Sequence, residues 1–210
     1  MNRDQVLDKA KFERIFGADH LTEPNDPPVY ALIDALELEP DSVVAELGAG
    51  QGHFTLPIAR KLVELGSRGL IFAFEYSDEM IARLDAAANE LGVDNRVRAW
   101  PLTRMEEPDT FPLQDGKVDR VLAVNAVHYL DDPVPVYQEI TRVLKPHGQL
   151  LVADWKRGPA ASMGESSSPG RSSATMVVAD LSKAGFGTHE IVDLEGYSWA
   201  IRAKQTLSPS

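Results

Sequence analysis

The stretch Glu46-Leu47-Gly48-Ala49-Gly50-Gln51-Gly52 decides the fold of this 210-residue chain. It continues the apolar run at 43–47 and precedes a helical pattern of apolar residues over 54–65. A glycine-rich loop between a strand and a helix lets backbone amides and a helix N-terminus approach a ligand without obstruction by side chains. The glycines alone would also suit a plain tight turn, but their position between strand and helix favours a ligand-binding loop.

The spacing of the glycines distinguishes two nucleotide-like ligands. A dinucleotide fingerprint has glycines at relative positions one, three and six, whereas here they stand at one, three and five, and His53 is sixth. Glu46, two residues before Gly48, would repel a pyrophosphate and attract a sulfonium or ammonium group. Both features favour S-adenosylmethionine over a nicotinamide dinucleotide. Glu75, which ends the next apolar run, suits the ribose hydroxyls of either ligand.

Outward from this loop, short apolar runs alternate with helical patterns, which is typical of a parallel sheet with helices on both faces. The last two runs are joined by Glu195-Gly196, a link that is short enough only for an antiparallel hairpin. The runs predict an α/β, Rossmann-like, doubly wound sheet, mostly parallel with an antiparallel C-terminal hairpin strand. Its seven strands are predicted at 43–47, 70–74, 96–100, 118–124, 149–153, 188–194 and 197–203.

The chain divides into a short N-terminal part and a larger α/β part. Residues 1–40 carry two helical patterns separated by prolines and predict a helical appendage or cap, and 41–205 predict the domain that binds the cofactor. Within that domain, 158–173 holds six serines, three glycines and two prolines. This composition and length predict a flexible loop.

Composition excludes several classes of partner and chemistry. The 21 Lys and Arg residues against 32 Asp and Glu give a net charge of −11, which argues against a nucleic-acid partner. The chain has no cysteine, which rules out thiolate chemistry and suits a reducing cytoplasm. The five histidines have no metal-ligand spacing, and no apolar run is long enough for a membrane span. We therefore expect a cytoplasmic protein with no metal and no membrane span.

Several separated motifs resemble those of class I S-adenosylmethionine-dependent methyltransferases. They are the glycine loop, Glu75, the segment 118–128, and the segment 143–148, in which His147 stands where the family usually has glycine. The resemblance covers about residues 40–205. Within the family, the chain is similar to the small-molecule branch that includes ubiquinone- and menaquinone-biosynthesis enzymes. The resemblance implies S-adenosylmethionine as cofactor, S-adenosylhomocysteine as product, and cofactor contacts from Glu46, Gly48, Ala49, Gly50, Glu75, Tyr76, Leu102, Thr103 and Asn125.

Three of these residues are assigned less specifically than the others. The family often places an acid or amide after the third strand to meet the adenine amino group, and this chain has none there, so Leu102 and Thr103 are candidates only as residues that line the loop. Tyr76 suits either the adenine face or ordinary core packing after a strand.

The candidate residues for binding and deprotonating the methyl acceptor lie mainly near the ends of the fourth and fifth predicted strands. His128, three residues beyond Asn125, is the candidate general base, and a packed histidine is the alternative. The candidate acceptor pocket comprises Asp154, Trp155, His20 and Tyr30. We expect a methyltransferase that acts on a small molecule, as a monomer or homodimer. The alternative is a regulatory protein that binds the cofactor with weak or no turnover.

Overall fold

The computed structural model describes residues 29–66, 68–102, 111–155, 173–192, 194 and 198–206. The helices are α1 Val29–Ala35, α2 Thr55–Glu64, α3 Asp78–Leu91, α4 Val134–Val143 and α5 Ala174–Lys183. The strands are β1 Val43–Leu47, β2 Leu70–Glu75, β3 Val97–Pro101, β4 Val118–Val124, β5 Leu144–Trp155, β6 Phe186–Val192 and β7 Ser198–Gln205.

These strands form one seven-stranded sheet in the order β3-β2-β1-β4-β5-β7-β6. The first five strands of this order are parallel, while β7 is antiparallel to both β5 and β6. The predicted mixed sheet with an antiparallel C-terminal end is confirmed, although the Glu195-Gly196 link itself lies outside the described residues. The strand order reverses between β1 and β4, and in open α/β sheets ligands bind beside the carboxyl ends of strands at such a point.

Alternate strand residues pack against helices on the two faces of the sheet. One core joins β1 residues such as Val44 to α1, α2 and α3, and we call this side the α2/α3 face. The other core joins residues such as Ala45 to α4 and α5, and we call it the α4/α5 face. Because side chains alternate along a strand, Glu46 points to the α2/α3 face, whereas Asp154 on β5 points to the α4/α5 face.

Helix ends follow the signals in the sequence. Ser77 caps α3 by accepting the backbone N–H of Met80 at 3.3 Å, and Gly92 ends it with a left-handed φ of 69°. The second helical pattern of residues 1–40 forms α1, whose Leu32 is fully buried in the core. Its first pattern, like 158–172, lies outside the described residues.

Two features differ from the sequence patterns. Helix α5 was not among the predicted elements, although Val177, Leu181 and Ala184 have helical spacing and are buried. Strand β5 begins five residues before its predicted start, because Leu144 pairs with Val118 ahead of a shift in register. Both differences lie away from the glycine loop.

Candidate functional site

The glycine loop is fixed to the end of β2 by backbone hydrogen bonds. The N–H groups of Gly48 and Ala49 both donate to the carbonyl oxygen of Phe74, at 2.9 and 3.0 Å. Since β1 and β2 are parallel neighbours, this places the loop and the residue after Phe74 at one edge of the sheet. The glycine loop and Glu75 are therefore adjacent, as the sequence predicts.

Glu75 is held in a single orientation by three backbone donors. Its Oε2 accepts from the N–H of Gly50 at 2.8 Å, and its Oε1 accepts from Tyr76 and Ser77 at 2.9 and 3.0 Å. A carboxylate has about four lone-pair sites, so these bonds leave it acceptor capacity. This arrangement presents a fixed carboxylate next to the loop, as binding a pair of ribose hydroxyls requires.

Two glycines of the loop have distinct structural roles. Gly52 has a φ of +99°, and a Cβ there would stand 2.5 Å from Leu84 Cδ1 and 3.0 Å from Leu56 Cγ, so both its backbone conformation and the packing around it favour glycine. A Cβ at Gly50 would meet no atom within 4 Å, and the φ of Gly50 is +54°. Gly50 therefore needs glycine for its backbone conformation, and it leaves space beside the loop for a ligand.

Glu46 is a buried acid with one described hydrogen bond. It is 2% exposed, and its Oε2 accepts from the Thr55 hydroxyl at 2.5 Å. Burial raises the pKa of Glu46 to about 8, the Thr55 hydrogen bond opposes that shift, and the Glu75 carboxylate adds to it. A cation bound at this edge would favour the ionised form, which matches the attraction to a cationic ligand inferred from the sequence.

The raised pKa makes stability depend on pH in the free protein. The folded-state pKa of Glu46 lies above the ordinary value of 4.5. Its contribution to the free energy of unfolding is therefore fully present below about pH 4.5 and is lost as pH rises through about 8. We expect Glu46→Gln to flatten the fall in unfolding free energy between these values, by up to about 1.4 kcal/mol per pH unit. Urea denaturation of the free protein across this range measures the slope.

The exposed Glu64 provides the matched control for this prediction. Glu64→Gln should leave the slope as in the unmodified protein. If Glu46→Gln and the unmodified protein lose stability equally over this range, Glu46 does not titrate as described.

Asn125 supplies a buried acceptor at the end of β4. Its backbone is left-handed, with φ 52°, and its N–H donates to the carbonyl of Ala153 at 2.9 Å. Within the described part of the chain, its buried Oδ1 has no hydrogen-bond partner. A buried acceptor of this kind fits an ammonium donor of a ligand, since leaving it unpaired carries a free-energy penalty.

His128 and Asp154 form a buried pair on the other side of the same edge. His128 lies in the 3₁₀ turn Val127–Tyr129 after β4, and its Nδ1 is 2.9 Å from Asp154 Oδ2 and 3.1 Å from Oδ1. The two side chains are 0% and 2% exposed. Since carboxylate oxygens accept, Nδ1 carries the proton and Nε2 is the basic nitrogen of the neutral ring.

Tyr137 on α4 belongs to the surroundings of this pair and was not among the predicted site residues. It is fully buried on the α4/α5 face. Burial raises the pKa of Tyr137, and the carboxylates of Asp180 and Asp154 raise it further, so the side chain is a neutral phenol. In the sequence, Tyr137 lies between Val136 and Ile140 of the helical pattern, and this position predicts only a core residue.

The other predicted site residues occupy different positions. Tyr76 is 67% exposed at the end of β2, which argues against its core-packing alternative, and its role at adenine stays a prediction. Leu102 is buried, and its N–H donates to the carbonyl of Glu75 at 2.8 Å. Tyr30 is exposed on α1, so its place in an acceptor pocket also stays a prediction. His20, Thr103 and the side chain of Trp155 lie outside the described residues.

No metal centre is found in the part of the chain that the structure describes. There, no three His, Asp or Glu side chains come together as a metal site would need. Likewise, none of the described helices combines the length and apolar character needed to cross a bilayer.

The comparisons with known proteins identify the class. A family model described as a methyltransferase domain matches residues 38–191. The chain therefore belongs to the methyltransferase-domain family. The resemblance to class I S-adenosylmethionine-dependent methyltransferases is confirmed, and the cofactor is S-adenosylmethionine.

Particular relatives agree with this class. A ubiquinone biosynthesis O-methyltransferase from Xanthomonas oryzae pv. oryzae is 28% identical over 120 residues, covering 56% of this chain and 45% of the relative. A S-adenosylmethionine-dependent methyltransferase from Aquifex aeolicus superposes with a TM-score of 0.74 at 21% identity, covering 92% and 96% of the two chains. A geranyl diphosphate methyltransferase superposes at 0.67 with 16% identity, covering 85% and 84%. The chain covers less than half the length of the first curated relatives.

Proposed function

We propose that this chain is a S-adenosylmethionine-dependent methyltransferase whose acceptor is a small molecule with a proton on its nucleophilic atom. The observation that carries this proposal is the buried His128–Asp154 pair, which lies at the same strand ends as Asn125. A regulatory protein that only bound the cofactor would need no such base. The buried pair therefore favours turnover over regulation without turnover.

The residues at the edge fit the cofactor group by group. Glu75 would accept the ribose hydroxyls, the backbone of Gly50 would lie against the ligand, and Asn125 Oδ1 would accept from the amino group. When bound, S-adenosylmethionine supplies a methyl group activated by its sulfonium and leaves as S-adenosylhomocysteine. Tyr76 and Leu102, whose backbone N–H groups both donate to Glu75, would cover the adenine side.

His128 would move the proton. With Nδ1–H donated to Asp154, Nε2 can take a proton from a phenol, an amine or an acidic carbon of the acceptor. The Asp154 carboxylate then stabilises the imidazolium that forms. Most of the rate enhancement would come from holding the acceptor in line and excluding water, and the base would add to it.

The kind of acceptor is tested by incubating the protein with methyl-labelled S-adenosylmethionine and separate pools of phenols, amines, acidic-carbon compounds, DNA and unfolded proteins. We expect label in at least one small-molecule pool and none in DNA, because the chain carries a net charge of −11. A Gly50→Leu variant in the same assay controls for contaminating activity. Label confined to protein or DNA would contradict the proposal.

Two further expectations belong to this proposal. A cytoplasmic location is favoured by the absence of cysteine in the sequence. The expected assembly is a monomer or a homodimer. Light scattering at assay concentration distinguishes the two assemblies.

A further inference from the structure

An acid and a base on the last turns of α4 form a bidentate ion pair outside the site described above. Arg142 Nε is 2.7 Å from Glu139 Oε2, and Arg142 Nη2 is 2.5 Å from Glu139 Oε1. The Glu139 side chain is only 7% exposed. Bidentate arginine–carboxylate pairs hold their geometry more strictly than single contacts do.

This ion pair is hydrogen-bonded to the segment 111–115, which follows β3 and precedes β4. The carbonyl of Phe111 accepts from Arg142 Nη2 at 3.1 Å, and the N–H of Phe111 donates to Glu139 Oε1 at 3.3 Å. Arg142 Nη1 also donates to the Leu113 carbonyl at 2.8 Å and to Asp115 Oδ1 at 2.6 Å. Both backbone polar groups of Phe111 are therefore bonded to one ion pair, and its carbonyl also accepts from the N–H of Leu113 at 2.6 Å.

Phe111 connects this ion pair to the cofactor edge. Its ring is fully buried and contacts the ring of Phe74, with centroids 4.7 Å apart and planes inclined by 56°. The Phe74 carbonyl accepts from Gly48 and Ala49, and the next residue is Glu75. A displacement of Phe111 would thus be transmitted through one side-chain contact to the backbone of the glycine loop, because closely packed interiors transmit strain.

We propose that Glu139 and Arg142 are positioning residues for the adenosine side of the cofactor site. They hold Phe111 against Phe74 and so keep Glu75, Leu102 and the glycine loop in register. Neither side chain touches the cofactor in this account. The inference rests on S-adenosylmethionine binding at this edge and is independent of which acceptor is methylated.

The test uses Arg142→Lys, which keeps the charge and removes the fork, and Glu139→Gln, which removes the charge. Each variant is compared with the unmodified chain for cofactor Kd by calorimetry and for kcat at saturating cofactor. We expect Kd for S-adenosylmethionine and S-adenosylhomocysteine to rise about 10-fold, since small misplacements of binding groups are costly. The value of kcat at saturation and the acceptor KM should stay within about twofold, since His128 and Asp154 are not displaced.

The exposed pair Arg83 and Glu79 on α3, joined at 2.6 Å, supplies the matched control. Arg83→Lys and Glu79→Gln should leave cofactor Kd unchanged. All measurements are made well below the melting temperature of each variant, and Arg142→Lys provides the answer if Glu139→Gln does not fold.

The possible results separate this inference from the proposed function. Unchanged cofactor Kd in a folded Arg142→Lys variant overturns the positioning role. A rise in cofactor Kd that is matched by an equal rise in acceptor KM and an equal fall in kcat also overturns it, because that pattern indicates general damage to the fold. Failure of the unmodified chain to bind S-adenosylmethionine would instead contradict the proposed function.

Discussion

Gly50→Leu is expected to raise the Kd for S-adenosylmethionine by about 100-fold or more, which would bring binding below detection in most assays. The φ of Gly50 is +54°, and its N–H donates to Glu75 Oε2 at 2.8 Å. A side chain there meets no protein atom within 4 Å and would occupy the space that the ligand needs. The substitution also strains a left-handed backbone position and disturbs the orientation of Glu75. Titration calorimetry measures the change.

Gly92→Leu separates ligand obstruction from backbone strain. Gly92 has a similar φ of +69° and also has no atom within 4 Å of an added Cβ, but it ends α3 away from the loop. Its substitution should lower the melting temperature about as much as Gly50→Leu does, and leave cofactor Kd unchanged. Cofactor affinity that survives Gly50→Leu would show that the ligand does not approach the loop at this position.

His128→Ala should reduce kcat by about 100- to 1,000-fold, with cofactor Kd changed by less than about twofold. The expected loss follows from removing the proposed base, whose Nδ1 is held by Asp154 at 2.9 Å. Steady-state kinetics with an acceptor found by the labelling screen, together with calorimetry for the cofactor, measure both quantities.

A second histidine variant makes this prediction more specific. His147→Ala is the matched control, because His147 is exposed in the first part of β5. Equal turnover by His128→Ala and the unmodified protein would make His128 a packed residue rather than a base.

Much of the fold was predictable because its signals are local. A glycine loop after β1, capping residues such as Ser77, and apolar runs of strand length each act within a few residues. Helix α5 does not stand out in the sequence because the serine-rich stretch 158–173 runs directly into it, and its N-cap Ser173 belongs to that stretch by composition. The early start of β5 depends on pairing between Leu144 and Val118, a contact that periodicity does not show.

The site was predictable in parts rather than as a unit. Glu46, Glu75 and Gly50 follow from their positions along the chain. His128 and Asp154 were each identified as candidates, but their contact depends on the register of β4 beside β5 and on side-chain orientations that residue spacing does not contain.

The contact of Arg142 with 111–115 was equally hidden. This contact joins the end of α4 to an irregular segment that lies 27–31 residues away in the sequence. From the sequence alone, an arginine in the last turn of a helix indicates only a favourable charge at the helix end. Such contacts arise only once strand order and helix placement are fixed.

The most direct test of the central claim is titration calorimetry of the unmodified chain with S-adenosylmethionine, S-adenosylhomocysteine and NAD⁺ in parallel. The glycine spacing, the fixed Glu75 carboxylate, the buried Glu46 and the Asn125 acceptor predict one-to-one binding of the first two and no binding of NAD⁺. Binding of NAD⁺ with no heat from either S-adenosyl compound would contradict the assignment of this edge to S-adenosylmethionine.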